Sequence, residues 1–140
     1  MRFMLLLKYD EAAQAETPPD PAMFEEMAKF NTAMVDAGVL LAGEGLLPSA
    51  RGALVAFDGE EPTVTDGPFA EAKELVGGFW ILETDSLEDA VSWARRAPFR
   101  AGERIEVRKV AEAEDFEGIA PPEVMEAEEE LRARQAQQQG

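Results

Sequence analysis

The 140-residue chain contains no cysteine and no histidine. Without thiols there are no disulfides and no thiol nucleophile. Without imidazole there is no Ser-His-Asp relay and no zinc site of the usual Cys/His kind. Any acid–base chemistry therefore falls to carboxylates, lysine, arginine, serine or the single tyrosine. Cations are also scarce: 13 Lys and Arg stand against 29 Asp and Glu, a formal net charge of -16. That balance opposes direct nucleic-acid binding, because phosphates reward clustered Lys and Arg, and an anionic membrane would repel it too. Long apolar runs are missing. Phe3 to Leu7 is too short for the apolar region of a secretory signal and is not followed by a small-residue cleavage site. No segment approaches the length of a transmembrane helix. The expectation is a soluble, cytoplasmic protein that uses no metal and no cofactor. No glycine-rich phosphate loop is present, since Gly77-Gly78 opens an apolar strand, where close backbone packing or a bulge is the natural role.

By length the chain is one domain, large enough to bury a core unaided. Residues 2 to 9 alternate Phe3, Leu5, Leu7 and Tyr9 with Arg2, Met4, Leu6 and Lys8. Both faces are largely apolar, which predicts an interior strand. Asp10 to Asp20 reads as a polar loop with Pro18 and Pro19. A helix is predicted from there, with Asp20 as N-cap and Pro21 in the first turn, ending near Gly38. Met23, Met27, Phe30, Met34 and Ala37 form its buried stripe. A strand over Val39 to Leu46, a loop over Pro48 to Arg51, and a hairpin of Ala53 to Phe57 with Thr63 to Thr65 about Asp58-Gly59 follow. Next comes a strand over Val76 to Thr84, with Phe79 and Ile81 opposite Trp80 and Leu82. Ser86-Leu-Glu-Asp89 is a capping-box-like start for a helix that Pro98 stops, its apolar side being Leu87, Ala90, Val91, Ala94 and Ala97. Arg104 to Val110 closes the series as a strand.

The order β-α-β, hairpin, β-α-β predicts an α+β fold: a ferredoxin-like βαββαβ sheet with an added hairpin and two helices on one face. Strands apolar on both faces then need a second cover, which predicts a homodimer. The first domain is read as residues 1 to 110. Beyond it, residues 111 to 140 form an acidic tail, with nine acids against two arginines between Glu112 and Arg134. Pro121-Pro122 breaks the chain and a helix is predicted over 123 to 136, supported by the i,i+4 pairs Glu128–Arg132 and Glu130–Arg134. Gln135 to Gly140 is expected to be disordered.

The most specific stretch is Asp66-Gly-Pro-Phe-Ala-Glu-Ala-Lys-Glu74, running into Val76-Gly-Gly-Phe-Trp80. Asp-Gly-Pro is turn chemistry, since Asp bonds local backbone, Gly accepts unusual φ and Pro fixes it. The segment resembles the signature of the YCII-related family, in its DGPF subgroup (DGPFAETKE), with Ala72 in place of the Thr. Met1-Arg-Phe-Met-Leu-Leu-Leu7, Gly43-Glu-Gly-Leu-Leu-Pro-Ser49 and Ile105-Glu-Val-Arg108 extend the likeness along roughly residues 1 to 110. The resemblance implies a dimeric α+β barrel, sheet against sheet, with a cleft near the interface. It also implies an association with extracytoplasmic-function sigma factors. Related dimeric barrels include members that isomerise, dehalogenate or oxidise small cyclic compounds.

Asp66 reads either as a carboxylate aimed into a cleft, acting as base or anchor, or as the cap of its own turn. Glu71, Lys73 and Glu74 alternate charge nearby, and Lys73 is placed to neutralise an acidic ligand or to pair with Asp66. Asp36 sits in the last helical turn, where the macrodipole disfavours an anion. It resembles the Asp of a His and Asp pair in other YCII-related proteins, but this chain has Met23 and Met27 there and no histidine. Asp36 is otherwise a surface residue at a helix end. Arg51 suits a carboxylate or phosphate, or pairs with an acid across a dimer. Ser49 lies in the same loop, read as bordering the cleft, and Glu44 between two glycines is a further candidate for it. Trp80 is core or interface first and a stacking surface second. Two functions follow: a dimeric small-molecule-binding protein or cofactor-free enzyme with its cleft between sheet and first helix, bordered by Asp36, Arg51 and Asp66, or a non-catalytic module whose acidic surface meets a basic partner such as a sigma factor.

Overall fold

The computed structural model describes residues 1–15, 20–69 and 74–139. These fall into two compact units, Met1–Val110 and Ala111–Gly140. The first unit holds β1 (Arg2–Tyr9), α1 (Glu11–Ala15), α2 (Pro21–Asp36), β2 (Leu40–Gly45), β3 (Ala53–Ala56), β4 (Thr63–Asp66), β5 (Leu75–Glu83), α3 (Leu87–Ala94) and β6 (Arg104–Lys109).

Four strands form one antiparallel sheet in the order β2-β5-β1-β6, and β3 with β4 form a separate hairpin. Counting sheet strands along the chain, this is the 2-3-1-4 order of a ferredoxin-like βαββαβ unit, with the hairpin inserted between the second and third strands. The alternation read in the sequence sets the layers. Phe3, Leu5, Trp80 and Leu82 are buried on one face, against Phe30 and Met34 of α2 and Ala90 of α3. The register puts Met4 opposite Ile81 and Leu6 opposite Phe79, so these four share the face away from the helices.

Local chemistry fixes the helix ends. The Asp20 carboxylate accepts from the Ala22 N–H, and Pro21 follows it, as expected of a capped start. Arg100 adds an ion pair to the same Asp20 at 3.3 Å. The chain leaves α2 through Gly38 at φ +74°, a left-handed residue past the last turn. Ser86 accepts from the Asp89 N–H to open α3.

Three expectations change. Asp10 to Asp20 is not wholly loop: the Asp10 carboxylate accepts from the N–H groups of Ala12 and Ala13, and α1 forms behind it. Leu87 and Val91 of α3 are exposed, and the core side of that helix is Ala90, with Trp93 and Ala94 packed around it. Pro98 stands four residues beyond the end of α3, which closes at Ala94.

The second unit carries a single 3-10 turn at Ala113–Phe116 and α4 (Pro122–Gln139). The helix runs three residues beyond the predicted end and includes Gln135 to Gln139, which were expected to be disordered. It is mostly polar, leaves Val124 and Leu131 exposed, and buries no residue.

Candidate functional site

Two pieces of the sequence signature meet at Ser49. A 3-10 turn, Ser49–Arg51, follows β2. The Glu11 carboxylate clasps Ser49, one oxygen accepting from its N–H at 2.8 Å and the other from its hydroxyl at 2.6 Å. The Ser49 hydroxyl in turn accepts from the Phe69 N–H at 3.3 Å. Gly67 lies flat against the Ser49 carbonyl, where a Cβ would overlap it, and the Gly67 N–H donates to Gly52. Gly67 of the Asp-Gly-Pro-Phe run is therefore required by contact with a distant turn, beyond the needs of its own.

The cleft lies between α2 and the β2/β5 edge of the sheet. It has a volume of about 300 Å³. Its apolar walls are Leu7, Met27, Leu40 and Trp80. Gly43, Gly45, Gly77 and Gly78 provide a side-chain-free floor. Two of these glycines are covered by aromatic rings, since a Cβ on Gly43 would stand 2.8 Å from the Trp80 ring and one on Gly77 would overlap the Tyr9 ring, whereas Gly45 faces open space. Trp80 itself is rigidly seated. Phe30 meets it edge-on at 5.7 Å, Phe99 packs at 5.9 Å, and its indole N–H donates to the Asn31 side-chain oxygen at 3.0 Å. Asn31 is the polar side chain that α2 contributes to the cleft.

Trp80 and Glu44 both line the cleft. Glu44 pairs with Phe79 in the register, so its side chain is on the face away from Trp80 and the helices. Asp36, Ser49, Arg51 and Asp66 lie outside the lining. Asp36 is exposed at the end of α2, and Arg51 is exposed in the 3-10 turn. Asp66 ends β4 opposite Ala53, exposed, and its side chain bonds to no described residue. The turn after it is held by Gly67 and Ser49 instead. Lys73 and Glu71 lie outside the described residues, whereas Glu74 pairs with Arg104 at 3.2 Å.

Sequence reasoning missed Asn31 and Glu11. Asn31 was detectable, because it stands four residues after Met27 and three before Met34, a polar residue on an apolar stripe that needs a partner. Glu11 had no local signal, since its partner is 38 residues away.

Tyr9, whose ring covers Gly77, is perturbed. Burial first, then the nearby Glu11 carboxylate, raises its phenol above the ordinary value of 10.0. A second concavity, of about 480 Å³, lies where Glu83 to Asp85 meet Asp89 and Arg96. Its aromatic wall, Trp93, is already covered by the Arg96 guanidinium at 4.3 Å. Among the described residues no group of three or more acids is arranged to hold a metal ion, and no helix is long and apolar enough to cross a membrane.

An uncharacterized protein of Rhizobium meliloti (strain 1021) is 30% identical over 97 residues, which is 68% of this chain and 78% of that protein. The YCII-related domain matches residues 1–114, covering the whole sheet, both packed helices, the hairpin and the cleft, and the chain belongs to that family.

Proposed function

We propose that the protein is a DGPF-subgroup member of its family that binds a small molecule in the cleft between α2 and the β2/β5 edge, and that it works as a homodimer. The observation that carries this reading is the cleft itself: apolar walls, open space at Gly45, and a single fixed amide at Asn31. Binding sites of this type are concave and mostly apolar, with few placed polar groups. The homodimer is supported by the helix-free sheet face, where Met4, Leu6, Phe79 and Ile81 lie together. Catalysis without a cofactor would need a base, and the candidates Asp36 and Asp66 lie outside the lining, so the geometry favours binding.

The test is a thermal-shift screen of phenols, lactones, ketones and small carboxylates against wild type, Gly45→Leu and Asp66→Asn. A Cβ at Gly45 meets nothing within 4 Å, so leucine there obstructs the cleft without a backbone clash. A ligand at one hundred times its Kd adds about 2.7 kcal/mol of stability. That gain is expected in wild type and lost in Gly45→Leu. A ligand that stabilises both equally refutes the cleft, and one lost only in Asp66→Asn moves the site to the Asp66 loop.

A second reading rests on α4, an 18-residue helix with Glu123, Glu126, Glu128, Glu129 and Glu130 and no buried side chain. Such a surface suits a basic protein partner, and a sigma factor is the candidate the subgroup suggests. Capture of a sigma factor by the full chain, abolished by deleting residues 112–140, supports that role.

A further inference from the structure

Resting on the small-molecule reading above, we infer that the cleft selects an uncharged, single-ring compound bearing a carbonyl oxygen, and that Asn31 is the residue that reads it. The orientation of the Asn31 amide is settled by its neighbour. Indole N–H is a donor only, so at 3.0 Å the atom facing Trp80 Nε1 is the amide oxygen, Oδ1. The Nδ2 group is thereby turned away with both its protons, and no described residue accepts them. Asn31 lines the cleft, so it offers donors and no spare acceptor of equal reach.

The other surfaces narrow the ligand further. Gly45 leaves open space in a lining it shares with Trp80, and about 300 Å³ holds one ring with a short substituent. Glu44, the only charged residue among the described residues of the lining, has its side chain directed to the opposite sheet face by its pairing with Phe79. A cationic ligand therefore meets no carboxylate on the floor. Among the described residues of the lining an anionic ligand meets no lysine or arginine, and it carries the repulsion of a chain with net charge -16. A neutral ring whose oxygen accepts from Nδ2 fits every wall.

The chain has two tryptophans, Trp80 and Trp93. Trp80 therefore gives one of two indole N–H resonances, assignable with Trp93→Phe, and it sits in the cleft. Full-length protein is titrated with acetophenone, toluene, benzoate and benzylamine while that resonance is followed. Acetophenone is expected to bind about tenfold more tightly than toluene, the value of one hydrogen bond to an otherwise idle donor, with benzoate and benzylamine weaker than acetophenone. Asn31→Asp keeps an acceptor for the indole N–H but removes both donors. It should erase the acetophenone preference and turn the order towards benzylamine.

Equal binding of acetophenone and toluene to wild type, with the Trp80 resonance moving for both, overturns the role of Asn31 and leaves the cleft standing. Retention of the acetophenone preference in Asn31→Asp does the same. If no ring moves the Trp80 resonance, the cleft reading fails and this inference with it. The wild-type comparison decides the matter even where the variant does not fold.

Discussion

Tyr9 shows how one residue reports on its surroundings. Its ring is buried over Gly77 and its phenol is raised above 10.0 by burial and then by Glu11. The folded chain thus keeps a proton that the unfolded chain loses near 10.0. The stabilisation is complete below pH 10.0 and is lost as pH rises through the higher folded value. Because Tyr9 is the only tyrosine, tyrosinate absorbance titrates it alone. The midpoint is expected above 10.0 in the folded protein and at the ordinary value in denaturant, with Glu11→Gln moving the folded midpoint part of the way down. Tyr9→Phe should flatten the alkaline loss of stability in urea melts. A folded midpoint at or below 10.0 would contradict the packing described here.

At the scale of elements, the signature loop is a clasp between parts of the chain rather than a free-standing turn. Gly67 has no room for a methyl group because the Ser49 carbonyl fills the space, and Ser49 is itself held by Glu11. Gly67→Ala is expected to destabilise the protein by about 1–3 kcal/mol, the usual cost of overpacking a fitted contact, measured by urea unfolding. Asp66→Asn, one residue earlier, should cost little, since the exposed Asp66 side chain bonds to no described residue. Comparable losses for the two would mean that Asp66 caps the turn after all. The helices were legible for a related reason. Asp20 and Ser86 cap through groups within three residues of themselves, and such short-range chemistry is written in order along the chain. The first helix escaped notice because five residues carry too little periodicity, leaving only the Asp10 cap as a signal.

For the whole molecule, the question is what meets the helix-free face of the sheet. Ile81 stands opposite Met4 on one side and Ala42 on the other. With Leu6 and Phe79 it makes an apolar centre beside the Lys8–Glu106 ion pair, whose atoms are 3.4 Å apart. In the proposed homodimer these faces meet, and a lysine at the centre would be desolvated without a partner. Wild type is expected to sediment as a dimer and Ile81→Lys as a monomer, with the core of Leu5, Met34 and Leu82 intact on the other face. A wild-type monomer at micromolar concentration would refute the pairing and return that face to solvent.

The alternation in Arg2 to Tyr9 and Leu75 to Glu83, the stripe of α2 and the two helix caps were enough to determine the strand and helix order. From that order the βαββαβ sheet and its buried face followed, because period and capping are properties of neighbouring residues. The location of the cleft was not determined that way. Asp36, Arg51 and Asp66 looked like its border because polar residues near signature glycines suggest chemistry, yet the walls are Met27, Asn31, Leu40 and Trp80, brought together across three elements. Only tertiary structure shows that Gly67 is fitted to Ser49, that Gly77 is fitted to Tyr9, and that Trp80 turns the Asn31 amide to face the cleft with its donors. Those are contacts between residues tens of positions apart, and their geometry is set by packing rather than by any local preference of the chain.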